Sequence, residues 1–168
     1  MKARIRLDAR REPCRTRGVM LLGLLLMLML AAIAAMSAAE VWATTRQRER
    51  EQELLFVGDQ YRRAIRHYYY ASPRGQARLL PAKLEDLLDD NRFPQPVRHL
   101  RRLYLDPITG STEWGLVMRG DRIAGVYSMS QAQPLKQAGF DGANAAFEAK
   151  ASYRDWVFLF MPPRATRN

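Results

Sequence analysis

The 21 residues VMLLGLLLMLMLAAIAAMSAA, from Val19 to Ala39, decide how the rest of this chain is organised. They contain no charge and no proline, and only Gly23 and Ser37 interrupt a run of Leu, Met, Ala and Ile. A helix of this length covers roughly 30 Å, which matches the hydrocarbon thickness of a bilayer. It lacks the polar stripe that the core helix of a soluble domain carries. This segment is therefore predicted to be a transmembrane helix, and a cleaved secretory signal peptide is the main alternative.

The charges on the two sides of this segment have opposite signs. Residues 1–18 have a net charge of +5, and residues 40–60 have a net charge of −2. By the positive-inside rule, the N-terminus is predicted to be cytoplasmic and the bulk of the chain to be exported. Much of the overall charge of +10 is thus explained by topology, and the other arginines are scattered. Nucleic acid is therefore not expected as a partner.

Four segments follow from this reading of the chain. They are a basic leader at 1–18, a transmembrane helix at 19–39, a helical stalk at 40–71 that continues the same helix, and a periplasmic domain at 72–168. No proline occurs between Val19 and Pro73, so one helix is predicted to reach Tyr70 over a length on the order of 75 Å. Within it, Arg46–Glu53 is charged on every face and is predicted to be solvated.

The remainder of the chain predicts an α+β fold. Apolar residues spaced three and four apart give the end of the long helix a face that a globular domain must cover, and these are Leu54, Val57, Tyr61, Ile65 and Tyr68. A short helix is predicted at 81–88, a β-hairpin from 114–118 and 123–127, and a buried strand at 153–161. The predicted fold is a long helix packed on a small antiparallel sheet of about three strands.

No residue pattern here supports an enzyme or a cofactor site. Cys14 is the only cysteine, so no intramolecular disulfide can form. His67 and His99 are the only histidines, each lies among arginines, and neither has zinc-ligand spacing around it. Both are predicted to be surface or interface residues. There is no nucleophile elbow and no glycine-rich phosphate loop.

Three further motifs each have a structural and a functional interpretation. Arg119, Gly120 and Asp121 spell a cell-adhesion tripeptide, but glycine and aspartate are also what a tight hairpin turn requires, and the turn is favoured. Asp106 and Glu113 flank a loop that could place oxygens around calcium, yet no series of alternating carboxylates completes a shell. The tyrosines at 68–70 are predicted to cap the core rather than to form a stacking platform.

The basic leader, Gly18 and the apolar helix that becomes amphipathic together resemble the type IV pilin superfamily, and particularly the pseudopilin-like proteins of bacterial type II secretion systems. RTRG followed by VMLLG, at 15–23, is similar to the site that prepilin peptidase cuts after glycine. Further similar stretches are EVWATTRQREREQELLFVGDQYRRAIRHYY, HLRRLYLDPITGSTEWGL, GVYSMSQAQPLKQAGF and SYRDWVFLF. The resemblance covers nearly the whole chain from Arg17 to Met161 and implies a pilin-like fold.

This resemblance implies that Gly18 is the last leader residue and that Val19 becomes an N-methylated N-terminus. Two positions depart from the family pattern. Most relatives begin the mature chain with phenylalanine, and at the fifth mature position they carry a glutamate where this chain has Gly23. In pilins this carboxylate is thought to meet the N-terminal amine of a neighbouring subunit within the apolar environment. Its absence favours a minor, initiating or regulatory subunit over a bulk one.

The resemblance also implies a place in the cell and a set of partners. The chain would be a single-pass inner-membrane subunit whose apolar helix leaves the lipid for the helical core of a short pseudopilus. Its partners would be other pseudopilins, the inner-membrane secretion platform, prepilin peptidase and membrane lipid. Small residues let neighbouring helices approach closely, and the predicted packing positions are Gly23, Ala31, Ala35 and Ala38.

Two alternatives to a fibre subunit remain at this stage. The first is a periplasmic adaptor or binding domain tethered by an uncleaved anchor, which the missing glutamate favours. The second is a secreted protein cut by signal peptidase after Ala39, where small residues precede Glu40. The three possibilities differ in the mature N-terminus, which would be Val19, Met1 or Glu40.

Overall fold

The computed structural model describes residues 16–73 and 75–163, without the side chains of residues 16, 17 and 37–40. Most of the predicted leader, including Cys14, lies outside the described residues. The chain divides into two compact units, one that ends at Thr44 and one that begins at Thr45. The part of the predicted stalk from Thr45 onward thus belongs to the same unit as the sheet.

One α-helix, α1, extends from Thr16 to Tyr70. Its sequence holds no proline, which is the residue that would remove a backbone donor and break the helix. The helix ends where Ala71 N donates to His67 O, and Ser72 and Pro73 follow. Proline disfavours helical backbone at the residue before it, which explains the stop at this point. The predicted long, apolar N-terminal helix is confirmed.

Three antiparallel strands form the sheet of the described C-terminal unit, in the order β1-β2-β3. β1 is Gly115–Arg119, β2 is Arg122–Tyr127 and β3 is Val157–Leu159. β1 and β2 form the predicted hairpin, and its turn residue Gly120 has a φ of +66°, a conformation that favours glycine. The predicted α+β class is confirmed at the level of one long helix and a small antiparallel sheet.

The core of the C-terminal unit joins the last part of α1 to the sheet. The predicted apolar face of α1 is buried, and β2 and β3 add Val126 and Phe158, which lie opposite each other in the ladder. A Cβ atom at Gly58 would overlap the Phe158 ring, so the absence of a side chain there lets α1 approach the sheet. The buried apolar side chains of α1 are Leu54, Val57, Tyr61, Ala64, Ile65 and Tyr68.

Two predicted elements are shorter than the sequence indicated. The predicted helix at 81–88 is a single 3₁₀ turn, Leu84–Leu87, held by Asp86 as an acceptor for the Ala82 and Lys83 N–H groups. The predicted strand at 153–161 is wrong in its first part, because Tyr153–Asp155 is a 3₁₀ helix. Asp155 accepts hydrogen bonds from the backbone and hydroxyl of Ser152, and this local pairing turns the chain before β3.

Candidate functional site

The large apolar side chains of the first part of α1 are exposed and do not belong to the hydrophobic core of the chain. Large apolar side chains from Val19 to Met36 are all at least 52% exposed. Full burial of each such side chain is worth about 1.5–3 kcal/mol, so a run of this kind in water would be very unfavourable. Among the described residues, this is the one helix long and apolar enough, by length and composition, to cross a membrane.

The predicted processing site lies at the beginning of this apolar segment. Gly18 and Val19 are helical, and Val19 is exposed. A Cβ atom at either Gly18 or Gly23 would have no neighbour within 4 Å. Alanine can therefore replace each of these glycines without a clash inside the subunit. Cleavage after Gly18 stays a prediction.

The predicted helix-packing residues also lie in this segment. Ala31 and Ala35 are one helical turn apart and exposed, which leaves the backbone between them accessible to a neighbouring helix. Ala38 is helical, but its side chain lies outside the described part of the chain. Their role in helix packing stays a prediction.

The second feature is a buried carboxylate, Glu51, in the stretch that was predicted to be solvated. Glu51 is only 3% exposed. Its Oε1 accepts hydrogen bonds from Leu135 N and from the Tyr153 hydroxyl, at 2.8 Å for the latter. Its Oε2 accepts from Lys136 N at 3.2 Å. We call this set of contacts the Glu51 clamp, because it fastens the loop at 134–136 and Tyr153 to α1.

Gln47 extends the Glu51 clamp by one helical turn. Its amide donates to Gln133 O at 3.3 Å and to the Tyr153 hydroxyl oxygen at 3.0 Å. Burial raises the pKa of Tyr153 to about 12, and the Glu51 carboxylate beside it adds to this rise. The phenol therefore stays protonated and donates to the carboxylate at neutral pH.

The prediction of a fully solvated segment at Arg46–Glu53 is thus wrong for two of its residues. The signal that could have identified them is the apolar stripe of α1 itself. Stepping back from Leu54 by three and then four residues leads to Glu51 and Gln47, which places them on the same helix face. Polar side chains on a face that enters a core need hydrogen-bond partners, and here the loop supplies them.

A third feature is an ion-paired cluster around Asp90, whose side chain is fully buried. Arg92 donates to both of its oxygens, at 2.8 Å from Nε to Oδ1 and 2.6 Å from Nη2 to Oδ2. His99 Nε2 lies 3.0 Å from Oδ2. Arg92 also donates to Tyr68 O at the end of α1 and lies over the Tyr68 ring. The cluster ties the segment at 90–99 to the helix.

This cluster corrects the interpretation of His99 as a surface or interface residue. The side chain of His99 is 4% exposed and faces Asp90. Burial opposes ionisation of Asp90, but the hydrogen bonds from Arg92 and His99 outweigh it and lower the pKa of Asp90. His67, by contrast, is exposed, as predicted.

The weak calcium candidates do not come together as a set of free ligands. Asp106 is fully buried, and its carboxylate accepts from Ile108 N, Thr109 Oγ1 and Ser128 Oγ at 2.9, 3.0 and 2.6 Å. Glu113 is exposed. Within residues 16–73 and 75–163, no three His, Cys, Asp or Glu side chains form a group that could hold a metal ion. The geometry of the described residues therefore adds no support for calcium at these two weak candidates.

The tyrosines at the end of α1 behave largely as predicted. Tyr68 is 5% exposed and belongs to the core, and Tyr69 is half-buried against it. Tyr70 is 43% exposed and packs edge-to-face on Phe160. Together these rings close the core where the helix ends.

Comparison of the chain with protein-family models, with curated proteins and with solved structures found no match.

Proposed function

We propose that the chain is a pseudopilin-like subunit of a type II secretion or type IV pilus-like machine. In this proposal the apolar part of α1 anchors the subunit in the bacterial inner membrane, with the N-terminus in the cytoplasm. The C-terminal unit lies in the periplasm. Processing after Gly18 then allows the apolar helix to move from lipid into the core of a short fibre.

One observation carries the proposal, namely the change in environment along α1. Its apolar part exposes every described large side chain, while its later part is buried against a small sheet. Lipid and a bundle of neighbouring helices are both apolar, so such a segment is stable in either. The charges on the two sides of the segment support the orientation.

The absent glutamate supports a minor, initiating or regulatory role within such a machine. Gly23 leaves the apolar segment without a carboxylate, so a subunit of this kind has no acid to pair with the amine of a neighbour. Entry into a fibre would then depend on helix packing through Ala31 and Ala35. The favoured role is therefore one that needs few copies.

The proposal is tested by the identity of the mature N-terminus. Mass spectrometry of the chain from its native membrane should give a species that begins at Val19. Gly18→Ala should abolish this processing, whereas Gly23→Ala should be processed normally. Neither alanine has a neighbour within 4 Å, so a difference between the two variants reports recognition by the peptidase and not misfolding.

Two outcomes would replace the proposal. A native chain that begins at Met1 in cells with active prepilin peptidase would favour the tethered periplasmic adaptor or binding domain. A native chain that begins at Glu40 would indicate a secreted protein. Either result excludes the processed subunit.

A further inference from the structure

An open depression beside the β1–β2 turn brings three arginines together. It has a volume of about 310 Å³ and is lined by Arg78, Arg119 and Arg122 together with apolar side chains. No acidic side chain of the described residues lines it. We call this depression the arginine pocket.

The guanidinium groups of the arginine pocket have few partners of their own. Arg119 makes no side-chain hydrogen bond, ion pair or ring contact within the described part of the chain, and Arg78 contacts only the Tyr70 ring, at 5.4 Å. Arg122 donates to Leu80 O at 3.4 Å and lies 3.5 Å from the highly exposed Asp121. The donors of Arg78 and Arg119 are thus available to a ligand.

The positive charges of the arginine pocket repel one another, and among the described residues Asp121 pairs only with Arg122. Arg119 and Arg122 are directly opposite each other in the β1–β2 ladder, and like charges at such positions destabilise a hairpin. Arg78 adds a third positive charge to the same depression. An anion in the arginine pocket would remove this repulsion and accept the free donors.

An apolar groove adjoins the arginine pocket. The groove has a volume of about 320 Å³ and shares Arg119 and Pro162 with the pocket. Met118 and Met161 are 50% and 73% exposed there, so a ligand that covers them gains from the burial of apolar surface. The other apolar residues of the groove are Val117, Ala124, Leu159 and Phe160.

We propose that the arginine pocket and the apolar groove together bind an acidic, apolar peptide segment of a partner protein, in which Asp or Glu alternates with large apolar side chains. The carboxylates pair with Arg78 and Arg119, and the apolar side chains cover Met118 and Met161. A small free anion would use the pocket alone. A peptide can use both depressions, because Arg119 and Pro162 line both of them.

The test uses the full chain in a neutral detergent and a fluorescein-labelled peptide, Glu-Leu-Glu-Phe-Glu-Leu, in an anisotropy titration. Binding should be saturable and should weaken at high salt. Arg78→Glu and Arg119→Glu should each weaken binding about tenfold, as expected for the loss of a charge-assisted hydrogen bond. Arg122 is left unchanged because it also contacts Leu80 O.

Matched controls separate this site from general charge attraction. Arg101→Glu alters an arginine that is exposed but lines neither depression, and it should leave affinity within about twofold. Met161→Ser should weaken binding of Glu-Leu-Glu-Phe-Glu-Leu but not of Glu-Ser-Glu-Ser-Glu-Ser. The wild type should bind Glu-Ser-Glu-Ser-Glu-Ser less tightly than Glu-Leu-Glu-Phe-Glu-Leu. The far-UV and near-UV circular dichroism of all variants should match that of the wild type.

Three results would overturn the proposal. They are the absence of saturable binding, an equal loss of affinity in Arg101→Glu, and equal affinity for the peptide without apolar residues. Competition by vesicles of anionic phospholipid, abolished by Arg78→Glu, would assign the site to a lipid surface instead. None of these results depends on whether the chain is processed at Gly18.

Discussion

The Glu51 clamp is predicted to be a main support of the C-terminal unit. In Glu51→Ala, two backbone N–H groups and the Tyr153 hydroxyl lose their acceptor. A buried donor without a partner costs about 1–3 kcal/mol. The loop at 134–136 can move toward water, so its N–H groups recover part of this cost. We therefore expect Glu51→Ala to lower the free energy of unfolding by about 3 kcal/mol in total. For a domain of this size, that loss corresponds to a fall in Tm of about 10 °C.

The measurement is thermal unfolding of the full chain in neutral detergent, followed by the fluorescence of the buried Trp114 and Trp156. Glu49→Ala is the matched control, because Glu49 is an exposed residue of the same helix with the same charge. It should change stability by no more than about 0.5 kcal/mol. In a double-mutant cycle, Glu51→Ala and Tyr153→Phe should couple by about 1 kcal/mol or more. Equal Tm values for Glu51→Ala and Glu49→Ala would refute the clamp.

Three more variants test other parts of the fold. Asp90→Asn should lower stability at neutral pH by about 3 kcal/mol, because Arg92 keeps a buried charge without its counter-ion. The pKa of Asp90 is lowered on folding. The contribution of Asp90 to the free energy of unfolding is therefore present above its unfolded pKa and is lost as the pH falls through its folded pKa. The urea midpoint of the wild type should consequently fall more steeply in acid than that of Asp90→Asn. Gly58→Ala should destabilise the fold by about 1–3 kcal/mol, because the new methyl group overlaps the Phe158 ring. Gly142→Ala is the control and should leave stability unchanged, because its methyl group meets no neighbour within 4 Å. Equal urea midpoints for the two variants would contradict the close approach of Gly58 to Phe158. Ala35→Phe should weaken crosslinking between subunits and leave membrane insertion unchanged. Leu26→Phe, nine residues earlier and therefore on the opposite side of α1, should leave both unchanged. Complete assembly of Ala35→Phe would exclude packing through this face.

Local sequence patterns predicted the elements whose causes are local. The uncharged run from Val19 to Ala39 indicated an apolar helix because a helix needs only a chain without breakers and a composition suited to its surroundings. The spacing of Leu54, Tyr61 and Ile65 identified the buried face, and the structure confirms it. Gly120 marked the hairpin turn because only glycine adopts its backbone conformation at no steric cost.

The polar interior was harder to predict, because its partners are distant in the chain. Glu51 and Leu135 are 84 residues apart, and Gln47 and Tyr153 are 106 apart. Charge alone indicated a solvated surface for Glu51, and neighbouring arginines indicated a surface or interface position for His99. Both predictions are wrong because burial of a polar side chain depends on the donors and acceptors that the fold brings to it.

The sequence by itself determined that an apolar helix begins near position 19 and that its later part must pack on a small α+β domain. These features depend on hydrophobicity, helix breakers and turn residues, which act over a few neighbouring positions. The tertiary structure alone decided which polar groups are paired, how closely α1 approaches Phe158, and that Arg78 joins Arg119 and Arg122 around one depression. Those arrangements depend on contacts between segments far apart in the chain, such as Glu51 with Leu135. The apolar stripe of α1 can place Glu51 on the buried face, but it does not identify the distant partner.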